Sequence, residues 1–269
     1  MAILLVLAVA GCSAYEQAVR SAIDDAVGQA ISQELGSRLA GYTDVMMWQL
    51  AYTQAFYMGG YGFAPGDFEE GQGATWRIEA IDRDDASSFT AERALLKRND
   101  DGSTWWYLNF DADGAEAVEY EVLLSSEFVA REMYVRDPES GEVRHHQFSF
   151  DESEREEADR GDESLEEIGY QTSYYFTEAW DQYRQGSERI STGAGSFDTE
   201  LLLFTAEDAR AYADEGEEIH DNMEYRWWVT KDVPGELVRF EYRDPDQDGV
   251  LRGELISLRD DYRARFADL

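Results

Sequence analysis

The chain reads as a mainly β protein. It is expected to build an antiparallel sheet from two related β-meander units, preceded by an N-terminal amphipathic helix. Three observations predict this. Apolar and polar residues alternate over short segments from about residue 75 onward. Gly- and Asp-rich turn sequences separate those segments. Short sequences of the first half return in the second half in the same order.

The elements follow in chain order. Ala2 to Gly11 is an apolar run ending in small residues, too short to span a bilayer and placed where a secretory signal sits. Residues 1–11 are therefore read as a signal peptide. A plain cleaved signal or a short buried helix is the other reading. From Tyr15 to Leu39, Val19, Ile23, Val27, Ile31 and Leu35 recur every four residues beside an alanine ridge, which predicts a helix within 12–42.

The first β unit is expected over 43–150. Met46, Trp48, Leu50, Tyr52, Phe56 and Met58 alternate up to Gly59-Gly60 and favour a strand, although a helix over Asp44–Met58 fits the same residues. Clearer strands are Thr75–Ile81, Ala91–Lys97, Thr104–Phe110, Ala117–Leu124, Phe128–Val135 and Val143–Phe150. Their turns include Asn99-Asp100-Asp101-Gly102 and Asp137-Pro138-Glu139-Ser140-Gly141. Residues 151–167 form an acidic linker. Ser164 and Glu167 offer a capping box for Leu165–Tyr183, a segment of either type.

The second unit, 168–269, is expected to pack with the first as one domain. Phe89-Thr90-Ala91-Glu92 returns as Phe204-Thr205-Ala206-Glu207, Trp105-Trp106 as Trp227-Trp228, and Arg136-Asp137-Pro138 as Arg243-Asp244-Pro245. Strands are expected at Glu236–Tyr242 and Val250–Leu258, and the two units should pair into one continuous antiparallel sheet.

Composition narrows the function. The 269 residues carry 58 acidic and 23 basic side chains, a net charge of −35, yet 43% are hydrophobic. That describes a folded core under an intensely acidic surface. At molar salt the Debye length is about 3 Å and self-repulsion is screened, so a salt-loving source is expected. A binder of cations or basic partners is the alternative. Nucleic acid is excluded as a partner, since no basic patch exists to neutralise phosphates.

Few residues carry chemistry. Asp244, Asp246 and Asp248 with Gly249 match the opening of a calcium loop, but the twelfth position is Leu255, and the stretch reads better as a hairpin turn. Adjacent strand residues point to opposite faces, so neither Trp105 and Trp106 nor Trp227 and Trp228 can share one. One member of each pair could line a hydrophobic cavity with Trp48, Trp76, Tyr107 and Tyr120, or both faces could be core. His145 and His146 point apart, and there is no P-loop, dinucleotide or Gly-x-Ser-x-Gly sequence. No enzyme activity and no cofactor is expected.

Val9-Ala10-Gly11-Cys12 resembles the lipobox of bacterial prolipoproteins, and Cys12 is the only cysteine. The resemblance covers residues 1–12 and departs from the family in having no Lys or Arg before the apolar run. It implies cleavage before Cys12, lipidation of Cys12 and a membrane anchor in the cell envelope. In a Gram-negative cell, Ser13 resembles an outer-membrane sorting signal, placing the protein on the periplasmic face. Gly195-Ser196-Phe197, Trp227-Trp228-Val229 and Val233-Pro234-Gly235-Glu236-Leu237-Val238 loosely resemble the closing strands of LolA-like envelope proteins. That implies a curved sheet or half-barrel with an apolar concave face and a helix near its mouth. The expected function is binding of a lipid or other hydrophobic ligand at the membrane surface. The alternative is a structural or adaptor lipoprotein without a small-molecule site, with a hydrolase or calcium protein third.

Overall fold

A computed structural model of the chain describes residues 48, 51–52, 55–62, 68–81, 88–112, 117–138, 140–148, 180–210, 224–243 and 250–269. The anchor region with Cys12, the expected helix Tyr15–Leu39, the acidic linker and Asp244–Gly249 lie outside the described residues.

Among the described residues there are thirteen strands. A small hairpin pairs β1 (Tyr57–Met58) with β2 (Tyr61–Gly62). The first meander comprises β3 (Gly73–Ile81), β4 (Ser88–Arg98), β5 (Thr104–Ala112), β6 (Val118–Leu124), β7 (Ala130–Arg136) and β8 (Val143–Gln147). The second comprises β9 (Arg184–Thr192), β10 (Gly195–Thr205), β11 (Glu224–Val229), β12 (Leu237–Arg243) and β13 (Val250–Arg259). They form one eleven-stranded antiparallel sheet in the order β8-β7-β6-β5-β4-β3-β13-β12-β11-β10-β9. The two meanders join through β3 and β13, with Trp76 opposite Leu255. The sheet is curved and does not close into a barrel.

The curvature has a visible cause. Register shifts occur at Leu201/Leu202, Trp228/Val229, Leu255/Ser257, Leu95/Lys97 and Leu123/Leu124. They fall in every second strand pair across the sheet, and the intervening pairs are regular. Each bulge adds a residue to one strand, bends it and increases the local twist.

Three sequence expectations need correction or refinement. Residues 48, 51–52 and 55–56 are helical, not a strand. Trp48, Ala51, Ala55 and Phe56 are all buried, a three- and four-residue spacing that one helical face satisfies. The strand expected from Phe128 begins at Ala130, because Phe128 itself takes φ 66° within the turn after Ser125. Arg184–Thr192 and Gly195–Thr205 are strands that the alternation did not reveal. As an edge strand β9 is exposed at nearly every position, so it has no apolar period to read.

The repeated tetrapeptides fall on unlike elements. Phe89-Thr90-Ala91-Glu92 lies wholly within β4. Phe204-Thr205 ends β10, while Ala206 and Glu207 open a short helix, Ala206–Arg210. The next residue decides the difference. Asp208 accepts bonds from both the amide and the hydroxyl of Thr205 at 2.8 Å, a capping interaction that starts the helix. Arg93 stands at the corresponding place in β4 and offers no such acceptor.

Candidate functional site: a plugged apolar face

Alternation along the strands gives the sheet one strongly apolar face. From the first meander it receives Leu95, Trp106, Leu108, Val122, Met133 and Val135, all buried. From the second it receives Leu202, Phe204, Trp227, Phe240, Tyr242 and Leu255. Trp76 and Ile78 bridge the seam between them. The ring of Tyr225 stacks on Trp227 at 5.4 Å and on Tyr242 at 4.5 Å.

Residues 48, 51–52 and 55–62, with Phe68, plug this core face. Trp48 meets Tyr120 edge-on at 5.8 Å, and Phe56 and Phe68 meet Trp106 at 5.3 and 5.1 Å. Beyond them, Met58 and Tyr61 join the cluster of the second meander. Gly59 takes φ 58°, and a Cβ there would meet the Phe240 ring. Gly253 lies against the same ring, so Phe240 sits between two glycines.

Polar bonds fix the plug at separated points. Trp227 Nε1 donates to Gly59 O at 2.7 Å. Tyr61 donates to Glu236 Oε2 at 3.2 Å, and Tyr52 to Phe128 O at 3.3 Å. Burial, helped by the neighbouring Tyr57, pushes the Tyr52 phenol far above its ordinary value. Arg93 is a charged residue buried in the core face. It is 1% exposed, donates to Ala55 O, and lies over Trp76 at 4.4 Å and Phe68 at 5.4 Å.

The opposite face mixes charged residues with the buried Trp105, Tyr107 and Trp228 and is covered along β3–β6 by the C-terminal residues 260–269, here called the strap. Glu121 is fully buried and accepts the amides of Arg265, Phe266 and Ala267 at 2.6, 3.1 and 2.8 Å. Arg265 also donates to Glu119 and Tyr107, both at 2.8 Å. Burial works to raise the Glu119 carboxyl, but bonds from Tyr107 and Arg136 and the Arg265 charge outweigh it and hold it below the ordinary value. Further along this face, Arg226, Glu241, Arg252 and Glu79 stand opposite one another in a row of alternating sign.

The eight aromatics singled out by sequence do not form one lining. Trp76, Trp106, Tyr120 and Trp227 lie on the core face, and Trp48 packs onto it from the plug. Trp105, Tyr107 and Trp228 point to the other side, where Tyr107 meets the strap and Trp228 Nε1 donates to Glu188 at 2.6 Å. All eight are at most 7% exposed, so each is packed in core. Sequence reading missed Arg93, although the period-two phase of Ala91, Arg93 and Leu95 places it on the apolar side. Cys12, Asp244, Asp246 and Asp248 lie outside the described residues. Among the described residues, no three His, Cys, Asp or Glu side chains gather as a metal site, and no helix is long and apolar enough to cross a membrane.

No family model and no curated protein matches the chain. By shape it is similar to a protein of YmcC-like fold from Bacteroides fragilis, at 9% identity over 73% of this chain and 98% of that one, TM-score 0.35. It is also similar to LprF from Mycobacterium bovis, at 9% identity over 83% and 97%, TM-score 0.31. A domain of outer-membrane lipoprotein-sorting type from Vibrio parahaemolyticus is similar at 11% identity over 72% and 87%, TM-score 0.26.

Proposed function

We propose that this protein is a cell-envelope lipoprotein, tethered through Cys12, whose core face binds a lipid or other hydrophobic ligand once the plug moves aside. One observation carries the reading. The apolar face of an open sheet is closed by a short segment that is separate from the sheet and fixed to it at a few polar points. Leaving the sheet intact, displacement of residues 48–62 would expose a continuous aromatic and aliphatic surface suited to an acyl chain or a comparable apolar molecule. The polar cost of opening is small, because the donors on Trp227 and Arg93 can turn to water or to a ligand oxygen. The reading assigns no catalytic step and no cofactor. Val9-Ala10-Gly11-Cys12 supports the anchor, and multiple acylation of Cys12 would be needed, since one chain holds a membrane only marginally.

The experiment is native mass spectrometry of Cys12→Ser protein purified without detergent in molar salt. A carried lipid, or uptake of added fatty acid or phospholipid with a change in tryptophan emission, is the expected result. An apo mass together with unchanged emission at saturating lipid would refute ligand binding and leave the adaptor role. Metabolic labelling with a fatty acid tests the anchor separately, and wild-type protein labelled no more than Cys12→Ser would overturn it.

A further inference from the structure

The face of β4–β6 that lies under the strap is built to recognise a peptide. Two rows of side chains cross these strands. Ala94, Tyr107, Glu121 and Tyr134 stand opposite one another in the first row, and Glu92, Asn109, Glu119 and Arg136 in the second. Glu121 is fully buried, flanked in its row by Tyr107 and Tyr134.

The strap is held there as a bound segment would be. It adds no strand to the sheet. Tyr262 and Ala267 are its buried residues, whereas Asp261, Arg263, Arg265 and Asp268 are exposed. Side chains of the groove do the holding instead. The Tyr262 ring packs with Ala94 and Tyr107, and its hydroxyl donates to Glu92. Three residues on, the Arg265 guanidinium lies over the Tyr107 ring at 4.8 Å and forks to Tyr107 Oη and Glu119 Oε1, both at 2.8 Å. The amides of Arg265, Phe266 and Ala267 then converge on Glu121. A segment that buries little apolar surface and joins no ladder opens at a lower free energy than the strands beneath it. Those strands pair with one another, and they bury Trp106, Leu108, Tyr120 and Val122 on the opposite face. Without the strap, Glu92, Glu119 and Glu121 would meet water, which solvates their charge.

We propose that this groove binds a segment of a partner protein, and that the strap occupies it until such a segment takes its place. The strap defines the chemistry: an aromatic residue, an arginine three positions later, and two further amides that must not come from proline. Charge selects the partner. A net charge of −35 repels a second copy of the chain, whereas an arginine-bearing segment is drawn to the three carboxylates of the groove. This site lies on the opposite face from the lipid surface and is independent of it.

The probe is a fluorescent peptide of sequence Asp260–Leu269, read by anisotropy in molar salt. Its target is the full chain carrying Cys12→Ser, Tyr262→Ala and Arg265→Ala, which weakens the strap and leaves the groove whole. The peptide should bind. The Cys12→Ser chain with its own strap intact should bind it at least about ten-fold more weakly, because a tethered segment competes at an effective concentration of about millimolar. Glu121→Gln in the weakened chain, Arg265→Ala in the peptide and Ala267→Pro in the peptide should each cost about ten-fold or more. Glu79→Gln removes a carboxylate from the charge row on the same face and should change binding by less than about two-fold. Absence of binding to the weakened chain, or binding indifferent to Glu121 and to Ala267→Pro, would overturn the groove. A dimer of the chain with an intact strap, broken by Glu121→Gln, would overturn the partner protein in favour of a second copy. Hydrogen exchange on that same chain needs no weakened strap: the amides of Arg265–Ala267 should exchange faster than those of β5 and β6. Exchange of these amides only together with the strands would make the strap part of the fold and sink the proposal. No lipid enters any of these measurements, so failure of lipid binding leaves their outcome standing.

Discussion

Gly59→Ala should open the plug without dismantling the sheet. The native φ of 58° costs an L-residue about 1–2 kcal/mol. The added methyl would also point into the Phe240 ring, and Phe240 cannot retreat because Gly253 lies on its other side. Overpacking of this kind costs about 1–3 kcal/mol. The sum is about 2–5 kcal/mol against docking of the hairpin, or roughly 30- to several-thousand-fold in its open population. The three atoms nearest this methyl all belong to the Phe240 ring, so the strain falls on the contact between the plug and β12. Hydrogen exchange at Tyr57–Gly62 reads the opening, and exchange in β5 and β6 reads the sheet. Phe240→Ala in the same chain makes room for the methyl and should recover the steric part while leaving the backbone strain. Wild-type protection of the hairpin in Gly59→Ala would refute the reasoning, because it would mean that neither the left-handed backbone nor the Phe240 contact holds the plug.

Other expectations follow from single groups. Glu121→Ala should lower stability to chemical denaturation by about 3 kcal/mol or more, since three strap amides lose their acceptor, and Glu121→Gln should recover part of the loss. At Asp137, burial acts to raise the carboxyl, but bonds from Arg144 and Ser140 outweigh it and hold it at about 2. The folded value lies below the unfolded one, so this group's contribution is present above about pH 4 and lost as pH falls toward 2. In a carboxyl NMR titration, Arg144→Ala should move the Asp137 midpoint upward; no movement would remove Arg144 as a cause. Dialysis from molar salt to about 10 mM lengthens the Debye length to about 30 Å and should unfold a chain of charge −35. Retention of the near-UV dichroism of its seven tryptophans would contradict that.

The architecture was legible where each strand has one buried face. In Val118–Leu124 the apolar Val118, Tyr120, Val122 and Leu124 take the core face while Glu119 and Glu121 meet the strap. The pairing of the two halves into one sheet also followed from the sequence, since two short meanders each leave an edge unpaired. What failed has a common cause. In the plug, Trp48, Tyr52 and Phe56 satisfy both a period of two and a period near four, so local pattern could not separate strand from helix. The plug's location on the core face depends on contacts with Tyr120, Trp106 and Trp227, all distant in sequence. A Trp-Trp pair puts one ring on each face of the sheet but does not say what covers either, and here the strap covers part of one.

The central seam sets the order in which the molecule can be built. Every strand of the first meander can find its partner as the chain emerges, except for the outer side of β3. That side pairs with β13, the last strand of the chain. Until β13 arrives, the middle of the finished sheet is a raw edge bearing Trp76 and Ile78, the kind of surface that recruits foreign strands. Loop-closure entropy makes this the slowest pairing to form. A chaperone acting on this chain would therefore have its task at β3, and the strap, which follows β13 directly, would seal Gly73 as soon as the seam is complete.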